Sequence, residues 1–70
     1  MKITYKQVDY DKEIYCNGAK TQLVISKNYG MFYIYLDDTK LTSRAYLGDA
    51  KAVVEELLKL GIGRNYVQEK

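Results

Sequence analysis

The chain has no histidine, no proline and no tryptophan, and a single cysteine, Cys16. Without histidine it lacks the commonest transition-metal ligand and the commonest general base at neutral pH. One thiol forms no intramolecular disulfide, and nothing in the cysteine usage calls for an oxidising compartment. No stretch approaches the roughly 20 consecutive apolar residues of a membrane span, and no secretory apolar region follows Met1. These absences lead to the expectation of a soluble, cytoplasmic, non-enzymatic protein with no cofactor, no metal and no membrane contact. The missing proline and tryptophan, beside abundant Lys, Tyr and Ile, match an AT-rich coding sequence of the kind carried by low-GC bacteria, their phages and mobile elements.

What is present bounds the fold. Seventy residues make one domain near the lower limit for folding without disulfides or metals. A hydrophobic share of 47% is that of a globular chain, so disorder is not expected. The core must be thin, about what one helix on one small sheet supplies. Eleven Lys or Arg against nine Asp or Glu leave a net charge of +2. The resulting pI of 8.6 falls short of the strongly basic balance of a dedicated duplex binder.

The stretch "GDAKAVVEELLKLGIG" reads as a helix over 49–60. Asp49 is suited to the N-cap, where a carboxylate meets free amides and the positive dipole end. Ala50, Val53, Val54, Leu57 and Leu60 recur at the spacing of one buried stripe. Lys51, Glu55, Glu56 and Lys59 occupy the solvated side, with Glu55 and Lys59 in the favourable i,i+4 order. Gly61 falls where a left-handed C′ residue stops the helix, and Ile62 falls at C″.

Upstream the period changes to two. "TQLVISK", "MFYIYL" and "KLTSRAYL" alternate apolar and polar or aromatic residues between turn formers. Asn17-Gly18 signals a two-residue type I′ hairpin turn. Parity then constrains register, because a one-residue slip moves every side chain to the other face. A four-residue loop over 27–30, with Gly30 left-handed, would pair Ile25 with Phe32 and Leu23 with Ile34. A similar loop over 37–40 would pair Leu36 with Leu41, Tyr35 with Thr42, Tyr33 with Arg44 and Met31 with Tyr46. Before Asn17, the same logic puts Cys16, Ile14 and Tyr10 on the core side together with Lys12, a conflict that a bulge near Asp11-Lys12 or two short pieces would remove. Residues 1–12 are left as a further edge strand of undefined pairing.

The expected class is therefore α+β: a small antiparallel meander of three to four strands within 13–47, one C-terminal helix on one face (β-β-β-α), and a tail over 63–70. One helix covers one face of a sheet. In the expected register the other face carries Tyr15, Lys20, Met31 and Tyr33, then Tyr35, Arg44 and Tyr46, with Gln22, Val24, Ser26 and Thr42 between them. Tyrosine, methionine and arginine are the types enriched at interface centres, and Tyr33 opposite Arg44 is placed for a cation–π contact. The competing explanation is structural, since cross-strand aromatic pairs stabilise small sheets by roughly 0.2–1 kcal/mol each.

Other groups read as structure. Asp37-Asp38 forms a turn, without the further oxygen ligands a calcium loop needs. The glycines at 61 and 63 end a helix, whereas a dinucleotide fingerprint opens one. Cys16 has no activating base and is expected to be a small buried residue, and Ser43 is expected on the core side.

Two functions follow. The first is a binding module that engages a protein partner through the tyrosine face, as accessory or inhibitor proteins of phages and mobile elements do; a second copy of the chain is a further candidate partner. The second is nucleic-acid binding through Tyr33, Tyr35, Arg44 and Tyr46, whose rings would stack on unpaired bases. Three strands followed by a helix resembles the element order of integrase arm-binding domains and, more loosely, of double-stranded RNA-binding domains. The resemblance lies in element order alone, and the basic cluster those families use at phosphates has no counterpart here.

Overall fold

Four turns of two residues each, Asp9-Tyr10, Asn17-Gly18, Tyr29-Gly30 and Asp37-Asp38, reverse the chain between paired strands. Each opens on a residue in the left-handed region: Asp9 (φ 56°), Asn17 (53°), Tyr29 (52°) and Asp37 (56°). At Asn17-Gly18 and Tyr29-Gly30 the second residue is left-handed too, matching a type I′ turn, whose twist suits flanking strands. The computed structural model describes residues 1–64. The strands joined by these turns are β1 (Ile3–Val8), β2 (Asp11–Cys16), β3 (Ala19–Asn28), β4 (Met31–Leu36) and β5 (Thr39–Arg44). One helix follows, α1 (Leu47–Lys59). The strands lie in the sheet in chain order, every neighbour antiparallel.

The α+β class and the C-terminal helix agree with the sequence reading, but the sheet has five strands where three to four were expected. Residues 1–12 supply β1 and the start of β2, with the Asp9-Tyr10 turn between them. Tyr10 is accordingly 78% exposed at a turn and does not join the core. No bulge forms at Asp11-Lys12. Lys12 stays on the helix side, opposite Ile25, and the irregularity between β2 and β3 falls between Glu13 and Tyr15. Of the tail expected over 63–70, Gly63 and Arg64 are described and the remainder lies outside the described residues.

Two registers also differ. Between β3 and β4 the partners are Leu23–Leu36, Ile25–Ile34 and Lys27–Phe32, a shift of two that preserves which side chains share a face. The cause is the two-residue turn, which Tyr29 permits by taking a positive φ. Between β4 and β5 the change is odd. Ile34 pairs with Thr42, Tyr33 with Ser43 and Phe32 with Arg44, and a bulge at Ile34/Tyr35 restores Tyr35–Lys40 and Leu36–Thr39. Thr42 and Arg44 therefore move to the helix face, and Ser43 moves to the open one.

The core closes between α1 and one sheet face. Ile14, Leu23, Ile25 and Ile34 meet Ala50, Val54 and Leu58, each at most 1% exposed. Full burial of an Ile or Leu side chain is worth about 1.5–3 kcal/mol, so these few residues carry most of the stability of a domain this small. Cys16 is buried beside them, as expected. The helix begins two residues early because half-buried Leu47 packs on this core; extended Tyr46 is its N-cap, without a side-chain hydrogen bond, and Asp49 sits in the first turn. The buried stripe runs through Leu58, while Leu60 is 67% exposed. Termination is as the sequence indicates. The N–H of Ile62 donates to Leu57 O at 2.9 Å and that of Gly61 to Leu58 O at 3.0 Å, with Gly61 at φ 87°, a Schellman closure.

Candidate functional site: the uncovered sheet face

Partners directly opposite in an antiparallel ladder point to the same side. The ladders thus place Thr4–Tyr15, Lys6–Glu13, Glu13–Val24, Val24–Tyr35, Ser26–Tyr33, Tyr33–Ser43 and Tyr35–Lys40 on the face away from α1. Among the described residues no element crosses that face. At its centre Val24, Ser26, Tyr33 and Tyr35 are half-buried by one another, with Met31 and Tyr15 at the margins.

Of the seven residues singled out from the sequence, Tyr15, Lys20, Met31, Tyr33 and Tyr35 come together here. Arg44 and Tyr46 do not. Arg44 lies opposite Phe32 on the helix side, its guanidinium donating to Thr42 Oγ1 at 2.7 Å and to the Ser43 carbonyl at 2.6 Å. Tyr46 caps the helix and is 72% exposed. The expected Tyr33–Arg44 pair is replaced by Lys40, whose Nζ stands 5.0 Å from the Tyr33 ring centroid. Glu13 and Ser43 are face residues that the sequence reading left out, and Lys40, expected at a strand end or on the open face, lies on that face opposite Tyr35. A two-residue turn at Asp37-Asp38 would have located Lys40, because it puts Thr39 opposite Leu36.

The electrostatics are closely balanced. Lys20 Nζ lies 3.3 Å from Glu13 Oε2, and Tyr15 donates its hydroxyl hydrogen to Glu13 Oε1 at 3.2 Å. The hydrogen bond from Lys20, aided by that from Tyr15, holds the Glu13 carboxyl below its usual range. At one margin Gln22 Nε2 donates to Asp37 Oδ2 at 3.0 Å. A shallow groove near Val24 and Tyr35 is bordered by Asp11, Asp37 and Asp38. The face thus offers rings, a thioether, a valine and neutralised charges, which suit contact with another surface better than bond-making chemistry. Among the described residues no group of three or more Cys, Asp or Glu is gathered to hold a metal ion, and no helix is long and apolar enough to cross a membrane.

Compared with protein-family models, with curated proteins and with solved structures, the chain matches none.

Proposed function

We propose that the chain is a small non-enzymatic module whose uncovered sheet face binds another protein. The observation that carries this reading is the continuous Val24, Tyr35, Tyr33, Met31 patch opposite α1, left half-exposed by every described element. An antiparallel sheet with one wet face ordinarily turns polar residues outward. Large amphipathic rings there favour a partner, because they supply contact area at low conformational cost.

Charge favours protein over nucleic acid as that partner. Among the described strand residues the cations on the face are Lys6, Lys20 and Lys40, and Lys20 is already paired with Glu13. Asp11, Glu13 and the nearby Asp37 and Asp38 oppose them. With Arg44 on the helix side, the strip of phosphate contacts that duplex or single-strand binding draws on is not assembled there. Such a module acts by occupying a surface of its target, the manner of accessory and inhibitor proteins.

The test is capture of binding partners from extract of the native cell with the wild-type chain and with a Tyr33→Ala/Tyr35→Ala variant. The reading expects a defined protein retained by the wild type and lost by the variant, with both chains folded. Retention by both, or collapse of the variant's thermal midpoint, would return the tyrosines to a structural role. A wild-type chain that sediments as a dimer, against a monomeric variant, would make a second copy the occupant.

A further inference from the structure

On the other side of the sheet, α1 leaves one corner uncovered, beside the Asp9-Tyr10 turn. A cavity of about 300 Å³ opens there. Its floor is apolar and continuous with the core: buried Ile25, with half-buried Phe32 and Leu47. Two lysines stand over that floor. Lys12 is the direct cross-strand partner of Ile25, and Lys27, two residues along β3 from Ile25, is the partner of Phe32. Diagonal neighbours of this kind have their Cα atoms roughly 7–8 Å apart in an antiparallel ladder, and both lysines line the cavity.

Asp9 also lines the cavity, but among the described residues neither lysine is ion-paired, the ion pair present being Lys20–Glu13. Lys12 donates to Gln7 Oε1, and the Gln7 amide donates to the Asp9 carbonyl at 2.7 Å, which fixes the head group with neutral acceptors only. Lys27 Nζ lies 5.8 Å from the Phe32 ring centroid, and the Lys27 main-chain N–H donates to the Tyr10 carbonyl at 3.1 Å, tying the turn to the cavity wall. Two ammonium groups against the one carboxylate of Asp9 leave the described lining net positive above an apolar floor, which attracts an anion that also has an apolar body. The volume lies at the low end of the range for small-ligand sites.

We propose that this corner binds a small organic carboxylate, its apolar part on Ile25, Phe32 and Leu47 and its carboxylate between Lys12 and Lys27. The site lies across the sheet from the tyrosine face and does not depend on the function assigned to that face. Octanoate is a suitable probe, with octanol as its neutral counterpart and inorganic phosphate as an anion without an apolar body. In an amide-shift titration of the full chain, octanoate produces saturable shifts centred on Tyr10, Lys12, Lys27, Phe32 and Leu47. A charge-assisted contact makes octanol and phosphate each about tenfold weaker or more. Lys12→Met and Lys27→Met each lower octanoate affinity by a similar factor, whereas Lys12→Arg and Lys27→Arg retain most of it. Equal binding of octanol and octanoate, phosphate as tight as octanoate, insensitivity to both lysine substitutions, shifts centred elsewhere, or no shifts would each overturn the proposal. The arginine variants, which keep the charge, maintain the test should a methionine variant fail to fold.

Discussion

The main-chain N–H of Gln22 donates to the carbonyl of Gly63 across 3.0 Å. Gln22 lies in the stretch of β3 where pairing with β2 is interrupted, so its N–H is not committed to the ladder. On the other edge the Gln22 carbonyl accepts from the Asp37 N–H at 2.9 Å. The bulge thus gives the segment after the helix a docking point on the central strand. Through it α1 is fastened at its C-terminal end to the face it covers, and none of the described elements covers the opposite face.

Gly63 is required there twice over. It has φ 84°, and a Cβ added to it would lie 2.7 Å from Leu23 Cγ, a buried core atom. Gly61 has a similar φ of 87° but open space around it. We expect Gly63→Ala to cost about 2–4 kcal/mol, from overpacking plus backbone strain, and Gly61→Ala about 1 kcal/mol, from strain alone. Chemical denaturation of the two variants checks this, and equal losses would contradict it.

The helix stripe gives a second comparison. Leu58→Ala removes a fully buried side chain and should cost about 2–5 kcal/mol, enough to unfold much of a small domain. Leu60→Ala should fall within about 0.5 kcal/mol of wild type, since Leu60 is 67% exposed. The order of the two thermal midpoints decides the matter.

That comparison also marks where the sequence was legible. The 3–4 spacing revealed the helix and Gly61 its end, but spacing alone admits Leu57 and Leu60 as readily as Leu58, and only the direction from which the sheet approaches chooses. Alternation located β3 and β4 and predicted an uncovered face with Tyr33 and Tyr35 on it. Parity fixed their shared face and left the offset free by two residues. The Tyr29-Gly30 turn was hidden because tyrosine is an unfavourable occupant of the left-handed region, where asparagine at position 17 is a common one. β1 was obscured because Gln7 takes an inward position and Val8 an outward one, and β2 because its first inward residue is Lys12. Arg44 was misplaced by the β4–β5 bulge opposite Ile34/Tyr35, which no residue pattern announces.

Tyr5 yields a pH prediction. Its ring carries Lys51 Nζ at 4.6 Å, and its hydroxyl hydrogen goes to Glu55 Oε2 at 3.4 Å. Burial first, and then the charge and hydrogen bond of Glu55, push its pKa from 10.0 up to about 12. A raised folded-state value stabilises the fold fully below the unfolded value of 10.0 and loses that contribution as pH rises toward about 12. A tyrosinate absorbance titration should therefore show a late step near pH 12 that Tyr5→Phe removes. Glu55→Gln should lower the step without bringing it to 10.0, because burial is the larger cause. A titration curve unchanged by Tyr5→Phe would contradict the assignment.

The central claim, that the uncovered sheet face meets another protein, is tested most directly by site-specific photo-crosslinking in the native cell. A photoreactive phenylalanine analogue at position 33 samples the face, and the same group at position 56 samples exposed Glu56 on the outer side of the helix. The account predicts a discrete adduct to a second polypeptide from position 33 and none from position 56. No adduct at position 33, or the same adduct from both positions, would contradict it.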